Sequence, residues 1–205
     1  MSNILIARHG NTFDPGDKVV RVGLNTDLHL SSSGKLQAQQ LGLALKDNPA
    51  PISAVYTSCL FRTIETAKIA LRTANIDLPI LQNSIFNELD YGPDEGKTET
   101  EVIARIGEEA LQDWENLAIV PPGWLVDPDK VIRNWFNFAH EIELSFPQQT
   151  VLVVTSNGIA RFAPYITGDF FNFTQKYKIK LATGAMASLS STNDGWEVDY
   201  WGNKS

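Results

Sequence analysis

The sequence predicts an α/β fold of three layers, α/β/α, with a mainly parallel central sheet and antiparallel strands at its C-terminal edge. Two observations predict it. Short apolar runs that stop abruptly at polar or glycine-bearing segments (Ile4 to Ala7, Ala54 to Thr57, Val151 to Val154) alternate with longer stretches of helical periodicity. Near the C-terminus the pattern changes to segments that alternate residue by residue, as antiparallel strands do.

In chain order, Ile4 to Ala7 reads as a buried strand that feeds Arg8-His9-Gly10, followed by a polar loop with Pro15, Gly16 and Gly23. Leu36, Leu41, Leu43 and Leu45, with Ala38 and Ala44, place a helix after Ser31 to Ser33; these serines offer its N-cap and Pro49 closes it. Ala54 to Thr57 is a second strand, Cys59 to Ala74 a second helix, Pro79 to Gln82 a third strand, and Asn83 to Thr98 a loop. Two helices follow, Glu99 to Leu117 and Pro128 to Leu144, separated by Pro121-Pro122-Gly123-Trp124; the second carries Val131, Ile132, Trp135, Phe136, Ala139 and Ile142 at helical spacing. Val151 to Val154 leads through Thr155-Ser156-Asn157-Gly158 into a short helix near Ile159 to Ile166. Tyr177 to Leu181, Ala185 to Ser190 and Trp196 to Trp201 then read as strands. Residues 1–205 are expected to form one domain, with a helical insertion at about 97–147.

The 24 acidic residues against 17 basic give a net charge of −7, and no basic run is dense enough for a nucleic-acid track or a membrane-surface patch. An anionic partner must therefore be drawn by a local cluster. The single cysteine, Cys59, rules out an intramolecular disulfide and a cysteine-rich metal site, and with no base nearby it reads as a packing residue. No charged leader precedes the first apolar run, and nothing approaches the roughly 20 apolar residues of a membrane span, so a cytoplasmic protein is expected.

In sheets of this class ligands bind beyond the C-terminal ends of strands, which singles out the segments after Ala7, Thr57 and Val154. In Arg8-His9-Gly10-Asn11-Thr12 a neutral ring nitrogen can attack phosphorus while the guanidinium offers a planar fork to phosphate oxygens. By itself this segment reads first as ordinary polar residues on a strand end. On a helix beginning near Cys59, Arg62 lies about one turn in and can point to the same crevice as Arg8. Its bland alternative is a solvated arginine paired with Glu65 or Asp77. Gly92-Pro-Asp-Glu-Gly-Lys-Thr98 is not a nucleotide P-loop, because its glycines are one residue too close. His29 and His140 read as surface or packing histidines, and Trp114, Trp124 and Trp135 as core.

Together these segments resemble the histidine phosphatase superfamily, the phosphoglycerate mutase-like fold. The resemblance rests on Arg8-His-Gly-Asn-Thr12, Asp27-Leu-His-Leu-Ser-Ser-Ser-Gly34, Ser58-Cys-Leu-Phe-Arg62 with Thr66-Ala67, and Asn87-Glu-Leu-Asp-Tyr-Gly92 with Glu95-Gly96. It covers roughly residues 3 to 97 and 150 to 162. It implies that His9 is a nucleophile forming a phosphohistidine, that Arg8 and Arg62 bind the phosphoryl oxygens, and that Glu88 protonates the leaving oxygen and then activates water. Asn11, Gly23, Tyr91 and Gly158 fall where substrate would be contacted. Neither metal nor cofactor is implied; the expected partner is a small phosphorylated substrate or inorganic phosphate. Read from the residues alone, Glu88 sits in an acid-rich loop that suits a solvated surface, with Asp90 as a fallback acid.

The third strand end departs from the resemblance. Where a Ser-His-Gly is expected, the chain has Ser156-Asn157-Gly158. Asn157 can still donate an amide hydrogen bond, and the backbone N–H groups that follow suit phosphate, but an imidazolium charge is gone. Reduced phosphatase activity and a phospholigand-binding or partner-binding protein without turnover are both compatible with that change, and a mutase ranks behind them.

Overall fold

The computed structural model describes residues 1–48 and 50–204. A six-stranded sheet lies at its centre, formed by β1 (Asn3–Arg8), β2 (Ile52–Thr57), β3 (Ile80–Gln82), β4 (Thr150–Thr155), β5 (Ala185–Thr192) and β6 (Gly195–Lys204). Their spatial order is β3-β2-β4-β1-β5-β6. The first four in that order are mutually parallel, and β5 joins β1 antiparallel and carries β6 as its hairpin partner.

The apolar runs are continuous because both faces of the sheet are covered. In β1, Ile4 and Ile6 enter one core while Leu5 and Ala7 enter the other; Val151 and Val153 against Leu152 and Val154 divide in the same way in β4. The smaller core is closed by α1 (Ser32–Lys46) and α2 (Phe61–Ala74) through Leu41, Leu45, Ala67, Ala70 and Leu71. The larger one holds Trp114, Trp124 and Trp135 with Phe86, Phe138 and Ile142. The three tryptophans are thus core, as their spacing suggested. Ser31 caps α1 by accepting from the Gly34 N–H at 3.2 Å. Pro49, expected to close this helix, lies outside the described residues.

Several elements differ from expectation. The stretch read as one helix from Glu99 to Leu117 is two, α3 (Glu99–Ile106) and α4 (Glu108–Leu117), because Gly107 takes φ +83° and breaks the ladder. α5 (Pro128–Ser145) follows as expected. After β4 the α-helical part is only α6 (Asn157–Ala160); Pro164 has no N–H to continue it, and a 3₁₀ turn at Ala163–Thr167 takes over. α7 (Phe170–Lys176), capped by Asp169, had no counterpart in the sequence reading. Tyr177 to Leu181 is not a strand. Ile179 and Leu181 are buried in the core, which accounts for the alternation, but the Leu181 backbone bonds to side chains at the site instead of a neighbouring strand. Cys59 is exposed and not a packing residue.

Candidate active site

β1 and β4 run in parallel register with Arg8 opposite Thr155, so the residues after them leave the sheet side by side. The His9 N–H donates to the Thr155 carbonyl at 3.0 Å. A cavity of about 610 Å³ opens beyond these ends, walled among others by Arg8, His9, Glu88, Tyr91, Asn157 and Arg161.

His9 is buried, with Nδ1 2.7 Å from the Gly10 carbonyl oxygen. A carbonyl can only accept, so Nδ1 carries the hydrogen and Nε2 keeps its lone pair. Burial, followed by the charges of Arg62 and Arg8, holds the ring well below the usual histidine pKa, with the Gly10 bond opposing them. The ring is therefore neutral at neutral pH, which is the state a nucleophile requires.

The loop that carries His9 is fixed by close backbone contact. A Cβ on Gly10 would lie 2.3 Å from the Gly34 carbonyl oxygen, and one on Gly34 2.0 Å from the Asn11 oxygen. The glycine of Asp27-x-x-Leu-x-x-x-Gly34 is thus where the start of α1 presses on the histidine loop. The Gly10 N–H donates to Thr66 Oγ1 at 3.1 Å, and Asp27 accepts from the Phe61 N–H at 2.7 Å. Asn11 lines the cavity, with its Oδ1 accepting from Thr183 at 2.5 Å.

The two arginines are placed differently. Arg8 lies on the cavity wall and donates from Nη1 to the Leu181 carbonyl at 2.6 Å. Arg62 is wholly buried behind it: Nη1 and Nη2 donate to the carbonyls of Thr26 and Gly23 at 2.9 and 3.1 Å, and Nε has no partner. Its charge acts on His9, but its guanidinium is not on the wall of the cavity. Its carboxylate partner is Asp27 at 3.9 Å, not Glu65 or Asp77. Gly23 likewise sits behind the wall. A Cβ there would meet Glu95, Leu89 and Tyr91 at 2.8 Å, so its role in this geometry is to let Arg62 and Tyr91 approach.

Glu88 is buried, not solvated as its acidic surroundings suggested. Its Oε1 accepts from the Leu89 N–H at 3.0 Å and Oε2 from the Gly158 N–H at 3.2 Å. Gly158 therefore spends its N–H on Glu88, and the expectation that this amide meets phosphate is corrected: it orients the acid. Asp90 accepts from the Gly92 N–H at 2.8 Å and is absent from the cavity wall, so it fixes a turn. Tyr91 is on the wall, with its phenol held neutral by burial and then by Glu88. His29 and His140 are exposed, each beside a glutamate.

Asn157 is oriented without ambiguity. The Leu181 N–H lies 3.0 Å from its Oδ1, and because an N–H only donates, the oxygen must face Leu181. The amide NH₂ is then the polar end Asn157 offers to the cavity it lines. One residue, Leu181, fixes both Arg8 through its carbonyl and Asn157 through its N–H.

Arg161 was missed in the sequence. It stands one turn after Asn157, fully buried, with its guanidinium 3.9 Å over the Trp114 ring and Nη1 on the Trp114 carbonyl at 2.5 Å. The i, i+4 spacing from Asn157 was the signal that could have found it. Arg21, also on the wall, lies over Tyr91 and Trp124.

The chain matches the family model described as histidine phosphatase superfamily (branch 1) over residues 4–204. It is 32% identical over 167 residues to the 2,3-bisphosphoglycerate-dependent phosphoglycerate mutase of Clavibacter sepedonicus, covering 81% of this chain and 64% of that protein. The chain spans about half to two thirds of the length of curated relatives of this kind. Among solved structures it is similar to a mycobacterial glucosyl-3-phosphoglycerate phosphatase, with a TM-score of 0.82, 19% identity and 99% of each chain covered. It is also similar to a phosphoserine phosphatase from Entamoeba histolytica in complex with phosphoserine, with a TM-score of 0.77, 16% identity, and 100% of this chain and 98% of that one covered.

Proposed function

Since the chain belongs to the histidine phosphatase superfamily, we propose that it hydrolyses a small phosphorylated metabolite by way of a phosphohistidine on His9. The observation that carries this reading is the neutral His9 ring, with Nδ1 committed to the Gly10 carbonyl and Nε2 left as nucleophile on the wall of the cavity that Glu88 also lines.

In the first step the Nε2 lone pair forms a bond to phosphorus as the bond from phosphorus to the ester oxygen breaks. Glu88, carrying a proton, delivers it to the departing oxygen. The Gly10 carbonyl accepts from Nδ1–H as the ring takes on positive charge, and Arg8 and the Asn157 amide offer donors to the phosphoryl oxygens. In the second step the Glu88 carboxylate takes a proton from water, whose oxygen bonds to phosphorus while the bond to Nε2 breaks. Inorganic phosphate leaves, and both residues return to their starting states. Arg62 contributes its charge from behind His9, off the wall of the cavity.

Trapping an acid-labile phosphoenzyme from wild type, absent in His9→Ala together with phosphate release, tests the reading. Full turnover by His9→Ala on every phosphoester of a panel would end it. Asn157 favours a second reading, a phospholigand-binding or partner-binding protein without turnover, which predicts binding and no release by wild type. A mutase ranks third, and kinetics with a bisphosphate primer separate it from a phosphatase.

A further inference from the structure

Gln37 of α1 is a polar residue on the side of the helix that faces the core. It stands among the buried positions Gly34, Ala38 and Leu41 and is half-buried itself, whereas Gln39 and Gln40 are exposed. Its amide makes two hydrogen bonds whose directions are fixed. The Asn11 N–H lies 2.7 Å from Oε1 and can only donate, so the oxygen faces Asn11 and the NH₂ donates to Thr183 Oγ1 at 3.3 Å. Thr183 therefore turns its one hydroxyl hydrogen to Asn11 Oδ1, at 2.5 Å, which closes a circuit of three bonds among Gln37, Thr183 and Asn11. With Oδ1 spent, the Asn11 NH₂, 3.3 Å from Ser33 Oγ, is the end left to donate. Asn11 and Thr183 line the cavity; Gln37 does not, and it holds both from behind.

The circuit joins the two segments that orient the donors of the cavity. Asn11 follows His9 in the loop after β1. Thr183 belongs to the stretch 181–184, where the Leu181 carbonyl fixes Arg8 and the Leu181 N–H fixes Asn157. At the end of that stretch the Gly184 N–H reaches the carbonyls of Arg8 and His9 at 3.1 and 3.3 Å, and a Cβ on Gly184, which takes φ +74°, would lie 3.0 Å from Gln37 Cβ. Residues 181–184 lie in no strand or helix, so bonds and packing of this kind set where Leu181 sits. We propose that Gln37 is a positioning residue for the phosphoryl pocket: by tying the 181–184 stretch to the His9 loop it fixes the places from which Arg8 and the Asn157 amide donate, without touching the substrate. An amide suits this task because one side chain must accept from a backbone N–H and donate to a hydroxyl at once, whereas a carboxylate only accepts and an ammonium only donates. The inference rests on the reading that a phosphoryl group occupies this cavity, but it does not require turnover.

The test opens the circuit from either side and reads folded protein. Gln37→Met, of similar length, deletes both bonds. It is expected to lower kcat/KM about tenfold to a hundredfold, by the same factor on glycerol 3-phosphate and on p-nitrophenyl phosphate, because the donors to the phosphoryl group are displaced and Glu88 is not. Affinity for inorganic phosphate, read by calorimetry, should weaken about threefold to tenfold. Thr183→Val cuts the circuit while sparing the bond from the Asn11 N–H, and it carries the test if Gln37→Met does not fold. Its losses should run in the same direction, and the double variant should fall no more than about threefold below Gln37→Met, since both act through one circuit. Gln40→Met, at an exposed position on the same helix, should leave both readouts as in wild type. A lowered denaturation midpoint with kcat/KM and phosphate affinity unchanged would make Gln37 a stability residue only and overturn the inference, as would additive losses in the double variant or a loss on glycerol 3-phosphate alone. If wild type releases no phosphate from any ester, the phosphatase reading falls, and the phosphate affinities of the same variants decide the inference.

Discussion

Gly158→Ala isolates the acid from the rest of the site. The added Cβ would lie 2.3 Å from Glu88 Oε1, 2.8 Å from the Tyr91 hydroxyl and 2.9 Å from Leu89 Cδ1. Ordinary contact begins near 3.4 Å, so the carboxylate must retreat by about 1 Å. Gly158 does not have a positive φ, so alanine suits its backbone and the perturbation is steric. A misplacement of about 1 Å can cost on the order of 100-fold, and loss of a general acid about 10²–10⁴-fold. Overpacking adds a stability cost of about 1–3 kcal/mol, to be checked by denaturant titration. The assay compares kcat on an alkyl phosphate, whose leaving alkoxide needs a proton, with kcat on p-nitrophenyl phosphate, whose leaving group does not. The alkyl ester should lose roughly 100-fold or more in formation of the phosphoenzyme, and the aryl ester far less, within about tenfold. Equal losses on both esters, or an alkyl rate left intact, would refute the assignment of Glu88 as the acid that Gly158 orients.

Three further outcomes are expected. Because the folded His9 pKa is depressed by burial and by Arg62 and Arg8, the acid limb of kcat/KM should lie well below 6.5, and Arg8→Gln should move it upward; an unmoved limb would show that another group titrates. The same depression means the unfolded chain binds the proton more readily, so stability is lost as pH falls from about 6.5 toward the folded pKa; His9→Gln should flatten that decline in denaturation midpoints. Asn157→His can keep the Leu181 bond by accepting at Nδ1, which presents Nε2–H to the cavity; turnover should then rise roughly tenfold, and unchanged turnover would mean the amide already serves the chemistry.

The strand ends were legible because local rules agree there. Apolar runs end on polar residues wherever a doubly covered sheet stops, and Ser31 announced α1 through an oxygen that accepts from the Gly34 N–H. Gly107 was not legible as a break, since a lone glycine in a helical pattern costs only about 1 kcal/mol and either outcome satisfies the pattern. Tyr177 to Leu181 misled for another reason: its side chains alternate into the core, while its backbone groups are taken by Arg8 and Asn157, partners some 173 and 24 residues away in the chain. Glu88 read as a surface acid because charge runs in loops are judged by neighbours in sequence. It is buried against Gly158, which lies 70 residues away in the chain.

What the sequence by itself determined is the set of chemical groups and their places at strand ends: a histidine beside an arginine, a second arginine one turn into a helix, an acid, and an asparagine where an imidazole was expected. Periodicity and motif order are local properties, and they survive without coordinates. Only the tertiary structure decided which atom each group presents. It commits His9 Nδ1 to Gly10 and turns the Asn157 oxygen toward Leu181. It also sets Arg62 behind the wall and brings Arg161 onto it with one nitrogen unmet. Apart from the bond between His9 and its neighbour Gly10, those assignments depend on donors and acceptors that are distant in sequence, and hydrogen bonds between distant segments are fixed only when the sheet has folded.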